Sequence, residues 1–134
     1  MRIRLESVPV ASADQDKAVK FYTEKLGFRI GRDIPMGAAR FVTVVSPEEP
    51  KGPELMLEPA GDHPATKTWR EALYAEGIPV TALCVDDIAA EYERLTGRGV
   101  EFKSKPFDIG DSIGAILDDT CGNLIMIYQE KGGG

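Results

Sequence analysis

The chain has 134 residues, 43% hydrophobic and 28% charged, and its 22 acidic against 16 basic side chains give a formal net charge of −6. This is the size and apolar content of one domain with its own core. The negative balance, with no Lys/Arg run to offset it, argues against nucleic-acid binding and anionic membrane surfaces, and no apolar run nears the ~20 residues that cross a bilayer.

The first extended segment covers about residues 3–11, with Val8 and Val10 on one face and Leu5, Ser7 and Pro9 on the other. A helix follows, capped by Ser12 or Asp14, with Ala18, Phe21, Tyr22 and Leu26 as its apolar stripe and Gly27 as its end. Residues 28–32 and 40–45 read as strands, and after the turn SPEEPKGP so do residues 54–58. A bridging helix begins at Asp62 or His63, takes Pro64 in its first turn and runs through Trp69 and Leu73 to Gly77. The pattern then restarts. Residues 78–85 form a strand, and Asp86 or Asp87 caps a helix carrying Ile88, Tyr92 and Leu95 that Gly99 ends. Residues 100–103, 112–117 and 123–129 read as three more strands.

The two halves can be laid on each other. Matching Asp14 to Asp87 pairs Ser7 with Val80, and matching the turn glycines of GPELM and GNLIM pairs Gly52 with Gly122 and Met56 with Met126. The expected fold is α+β: two βαβββ modules forming an open, cleft-bearing mixed-sheet barrel. Module one covers about 1–60, the bridging helix about 62–76 and module two about 78–130, a single domain over 1–131 with a disordered tail at 132–134. By alternation Val8, Val10, Thr81, Leu83, Val85, Ile125 and Ile127 face the helices. Ser7, Pro9, Val80, Ala82, Cys84, Leu124, Met126 and Tyr128 face the cleft.

Three strings in this order, ADQDKAVKFYTEKLGF, VDDIAAEYERLTGRGVEF and DDTCGNLIMIYQ, are similar to those of the vicinal-oxygen-chelate superfamily, the glyoxalase/bleomycin-resistance/dioxygenase family. The resemblance covers about residues 1–130 and implies the fold more specifically than the reaction, because the family includes isomerases, epimerases, dioxygenases, thiol transferases and drug-sequestering proteins. It also implies a homodimer, as many members are. Metal-using members carry ligands at places that land on Ser7, Val80, Met56 and Met126, typically as His, Gln or Glu. A slip of two on the fourth strand brings Glu54 or Glu58 to the place of Met56. Hydroxyl, isopropyl and two thioethers are a poor donor set for a divalent metal, so no metal is expected.

The remaining candidates read as structural. His63 is the only histidine and suits a helix start. Cys121 sits in a turn with no neighbouring base, and Cys84 serves as a small apolar wall facing the cleft. Adjacent acids in Asp86–Asp87 and Asp118–Asp119 point to opposite faces and serve caps and turns. The two cysteines have no ligand spacing, and the polar amino terminus has no signal-peptide core, which together suggest a cytoplasmic protein with reduced thiols. No P-loop, GxGxxG, GxSxG or HExxH string occurs, so no cofactor is expected. The resemblance then implies a protein that binds or sequesters a small, partly apolar or cationic molecule. Its cavity would be walled by Ser7, Met56, Val80, Met126 and Tyr128, with Glu54 and Glu58 at the rim. The alternatives are a glyoxalase-type lyase or isomerase, or a dioxygenase-like enzyme, using a non-standard site, and a protein whose cavity is filled by its own side chains.

Overall fold

In the computed structural model, which describes residues 1–60 and 62–132, the sequence repeat becomes a repeat of topology. Strands β1 (Leu5–Pro9), β2 (Arg29–Met36), β3 (Ala39–Val45) and β4 (Glu54–Glu58) form one sheet in the order β1-β4-β3-β2. Strands β5 (Thr81–Cys84), β6 (Phe107–Asp108), β7 (Ser112–Asp118) and β8 (Leu124–Glu130) form another in the order β5-β8-β7-β6. In each sheet the first and last strands pair in parallel and the others antiparallel. A parallel pair needs a long crossover, supplied by α1 (Gln15–Lys20) in one half and α3 (Ile88–Gly97) in the other, each followed by two strands. Helix α2 (Pro64–Ala75) bridges the halves.

The rows expected to face the helices supply much of the core, and Pro9 and Leu124, expected at the cleft, are buried as well. Val8, Val10, Val42, Val44 and Leu57 are fully buried against Ala18, Phe21 and Tyr22. In the second half Ala115, Leu117, Ile125 and Ile127 pack with Ile88 and Leu95. Each fully buried aliphatic side chain contributes roughly 1.5–3 kcal/mol, so these helix-facing rows are what hold each sheet to its helix.

The sheets stay open, as expected: among the described residues no strand of one pairs with a strand of the other. The halves meet instead through side chains and helix ends. Asn123 Nδ2 donates to Pro9 O at 2.8 Å, the Tyr22 hydroxyl to Asp119 Oδ2 at 2.8 Å, and Arg98 Nη1 to Lys25 O at 3.0 Å. The expected strand at 100–103 touches β7 only through an isolated bridge between Phe102 and Leu117. Pro106, lacking an N–H, interrupts the pairing, which resumes at β6. The helix start at residues 12–14 is a 3₁₀ turn in which neither Ser12 nor Asp14 caps α1. Ser12 is drawn away, its backbone N–H and hydroxyl both donating to Asp62 Oδ2 at 3.0 and 2.6 Å. The helix continues from α1 as a widened π turn over Phe21–Lys25 and ends at Gly27, whose φ of +91° suits a residue without Cβ. Residues 133 and 134 of the expected tail lie outside the described residues.

Candidate functional site

Strand register decides which side chains share the inner faces. In module one Ser7 lies opposite Met56, and Met56 opposite Thr43. In module two Ala82 lies opposite Met126 and Met126 opposite Ile116, while the next row runs Cys84, Tyr128, Gly114, Phe107. The counterpart of Ser7 beside its methionine is therefore Ala82, two residues along from Val80. The shift has a physical origin. Asp87 caps α3 by accepting from Ala90 N at 3.1 Å, whereas Asp14 caps nothing, so counting back from the two acids starts at inequivalent points. Met56 and Met126, matched through turn glycines, do occupy corresponding places.

The two candidate carboxylates differ sharply. Glu54 Oε1 accepts from Thr43 Oγ1 at 2.6 Å and Arg32 Nε at 2.9 Å, and Oε2 from Arg32 Nη2 at 2.9 Å. The Arg32 fork and then the Thr43 hydroxyl hold this carboxyl below its usual range. Arg32 also stacks over Phe41, 4.8 Å from the ring centroid. Glu58 has no hydrogen bond or ion pair to its carboxylate among the described residues. It opens onto a depression of about 460 Å³ that is also lined by Ser7, Pro9, Ala60, Thr66 and Trp69. Ser7 and Glu58 thus come together, joined by a tryptophan read from sequence only as packing on a barrel edge or a partner. Trp69 is 50% exposed. Met56 is next to Ser7 in register, but Val80, Met126 and Tyr128 lie on the other sheet. There Ile109 folds over Gly114, where an added Cβ would stand 2.5 Å from Ile109 Cδ1 and 3.4 Å from Met126 Sδ.

Other polar groups are committed elsewhere. Asp119 is buried at the junction, and desolvation raises its pKa against the lowering effect of four donors. Its Oδ1 accepts from Cys121 N and Asn123 N at 2.7 and 3.0 Å, its Oδ2 from Tyr22 and from Asn123 Nδ2 at 3.1 Å. Burial and the neighbouring Asp119 push the Cys121 thiol up to about 11, the wrong direction for a nucleophile. His63 Nδ1 accepts from Ala65 N at 3.2 Å, a helix-start contact. A second depression of about 360 Å³, lined by Tyr74, Glu101, Asp118 and Thr120, has its Asp118 already bonded to Tyr74 and to Thr120 N.

A sequence profile of the Glyoxalase/Bleomycin resistance protein/Dioxygenase superfamily matches residues 4–127. The chain belongs to that superfamily. The uncharacterized protein YurT of Bacillus subtilis (strain 168) is 48% identical over 130 residues, 97% of this chain and 100% of that protein. Among solved structures, UcmS2 superposes with a TM-score of 0.79 at 34% identity, covering 96% of this chain and 97% of the other. TnmS3, an antibiotic binding protein from Streptomyces sp. CB03234, superposes with a TM-score of 0.76 at 28% identity, covering 98% and 97%. The metal that some members of the superfamily use is not suited by the side chains at the corresponding rows. Ser7 and Met56 on one sheet, and Ala82 or Val80 with Met126 on the other, supply neither the imidazole nor the carboxylate such an ion takes. A slip of two would bring Glu54 or Glu58 to the place of Met56: Glu54 is held by Arg32, and Glu58, without a bonded partner among the described residues, would be a lone carboxylate in that set.

Proposed function

We propose that this chain is a metal-independent binding protein that holds a small, partly apolar molecule between inner sheet faces, as a homodimer. The observation that carries the reading is the side-chain set of those faces. A thioether on each sheet, Met56 beside Ser7 on one and Met126 beside Ala82 on the other with Tyr128 one row along, offers adaptable surfaces that grip by contact. That TnmS3 is an antibiotic binding protein supports binding over catalysis. Val80 precedes β5 and packs in part against the core.

The dimer follows from what one chain leaves uncovered. Leu5, Ile34 and Met36 on the inner face of module one, and Phe107 and Ile109 on that of module two, are all more than a third exposed. A second copy can lay its module two over module one.

Thermal melting with a panel of apolar and aromatic compounds tests the binding. A ligand at a hundredfold excess over its dissociation constant stabilises by roughly 2.7 kcal/mol. The variant Ala82→Trp, which fills the row beside Met126 from an exposed position, should abolish that shift without lowering ligand-free stability much. Failure of every compound to shift the wild type, with a large loss of stability in the variant, would favour a filled core. Elemental analysis should find no stoichiometric metal; one tightly held ion per chain would turn the reading to a glyoxalase-type lyase or isomerase.

A further inference from the structure

We propose that the depression at Ser7, Glu58 and Trp69 seats an organic monocation, a protonated or quaternary amine carrying an apolar group. The proposal rests on the binding reading above and names the ligand class for it.

Two other aromatic–carboxylate pairs of this chain each hold a cation of its own. Phe41 and Glu54 share Arg32, which lies 4.8 Å from the ring centroid and bonds the carboxylate through two nitrogens. Tyr74 and Asp118 share Lys103, 5.2 Å from the ring centroid and 3.9 Å from the carboxylate oxygen. Trp69 and Glu58 bring a third aromatic ring and carboxylate to one depression. Here no cation of the chain is seated among the described residues. Among the described residues neither an aromatic ring nor a Lys or Arg stands over the indole, and none bonds the carboxylate.

The surroundings suit an incoming cation. Glu58 is the one ionisable side chain among the lining residues, and the nearby Arg70 guanidinium is turned to the carbonyls of Pro9 and Cys121 at 3.5 and 3.4 Å. Tryptophan is the ring best able to hold a cation, through the negative potential of its face. Ser7, Pro9, Ala60 and Ala65 are small, which leaves room for a substituted nitrogen, and about 460 Å³ also accepts the apolar group attached to it. The Ser7 and Thr66 hydroxyls can accept from a protonated amine.

Trp69 is the only tryptophan in the chain, so intrinsic fluorescence reports on this site alone. The full-length chain is titrated with 2-phenylethylamine hydrochloride, with benzyltrimethylammonium chloride, and with 2-phenylethanol as the uncharged counterpart. The two cations should quench Trp69 saturably and bind roughly fivefold to tenfold more tightly than the alcohol, a margin that shrinks as NaCl is raised. Glu58→Gln, checked for an unchanged melting profile, should bring the cations down to the level of the alcohol. Trp69→Leu, followed by calorimetry, should weaken the cations more than the alcohol. Equal binding of cations and alcohol in the wild type overturns the charge assignment and leaves the binding reading standing. A preference that survives Glu58→Gln at every salt concentration overturns the assignment to Glu58. If no probe saturates here and no apolar compound shifts melting, both readings fall.

Discussion

The Tyr22 hydroxyl is the group on which the junction turns. Sequence periodicity placed Tyr22 in the apolar stripe of the first helix, and it is fully buried there. Its oxygen reaches Asp119, 97 residues away, a contact that no local pattern can carry. Replacing Tyr22 with Phe should leave the buried carboxylate one donor short and cost about 1–3 kcal/mol of stability, measurable by chemical denaturation. Asp119 sets the pH dependence. Its pKa in the fold is raised above the unfolded value, chiefly by desolvation, so the folded state holds the proton longer. The stability from this group is full below about pH 4 and is lost as pH rises toward the folded value. Asp119→Asn removes this titration. The stability difference, wild type minus variant, should therefore be greatest at the acid end and decline as pH rises; a flat difference would show that the carboxyl is not raised. The turn role read for Asp118–Asp119 was legible because it is local, since Thr120 N and Cys121 N do donate to them. The link to Tyr22 was not.

Among the elements, those that bury one face were legible and those that bury neither were not. β4 and β7 carry alternation strong enough to place their inner and outer rows. β6 is two exposed residues held by pairing with β7, and nothing in FD distinguishes it from the loop around it. β2 extends past its expected end through Pro35 because an outer strand tolerates a missing donor. Helix starts were legible only where the cap side chain had no better partner. Asp87 caps α3, while Ser12 is taken by Asp62 and α1 begins without a side-chain cap. Asp87→Ala should accordingly cost about 1 kcal/mol, and Asp14→Ala no more than about 0.5 kcal/mol, both read from denaturation midpoints. Equal losses would mean that Asp14 has a role its surroundings do not reveal. The same asymmetry misled the pairing of Ser7 with Val80, since a repeat of sequence is in register only where the local structures repeat.

At the scale of the molecule, the repeat foretold two like sheets but not how they sit, because closure depends on edges and on contacts between distant loops. Each sheet ends in outer strands whose far edges pair with no strand among the described residues, and the inner faces keep apolar side chains open to solvent. A second copy related by a two-fold axis offers module two to module one twice over, so every new contact is made in duplicate. A stable interface needs about 1,200–2,000 Å² of buried surface in total, and two sheet-sized faces reach that scale. Sedimentation velocity over a hundredfold concentration range should therefore report a dimer. Ile34 is 48% exposed and shares the inner face with Met56, through Phe41 and its neighbour Thr43. Placing a carboxylate there with Ile34→Glu costs the separate chain little, because the position is already wet. In the dimer it would bury an unpaired charge, so the variant should dissociate at concentrations where the wild type stays paired. Its far-ultraviolet spectrum should be unchanged. A wild type that sediments as a monomer throughout, or a variant that dimerises equally well, would place the contact on another surface and leave these inner faces to the ligand alone.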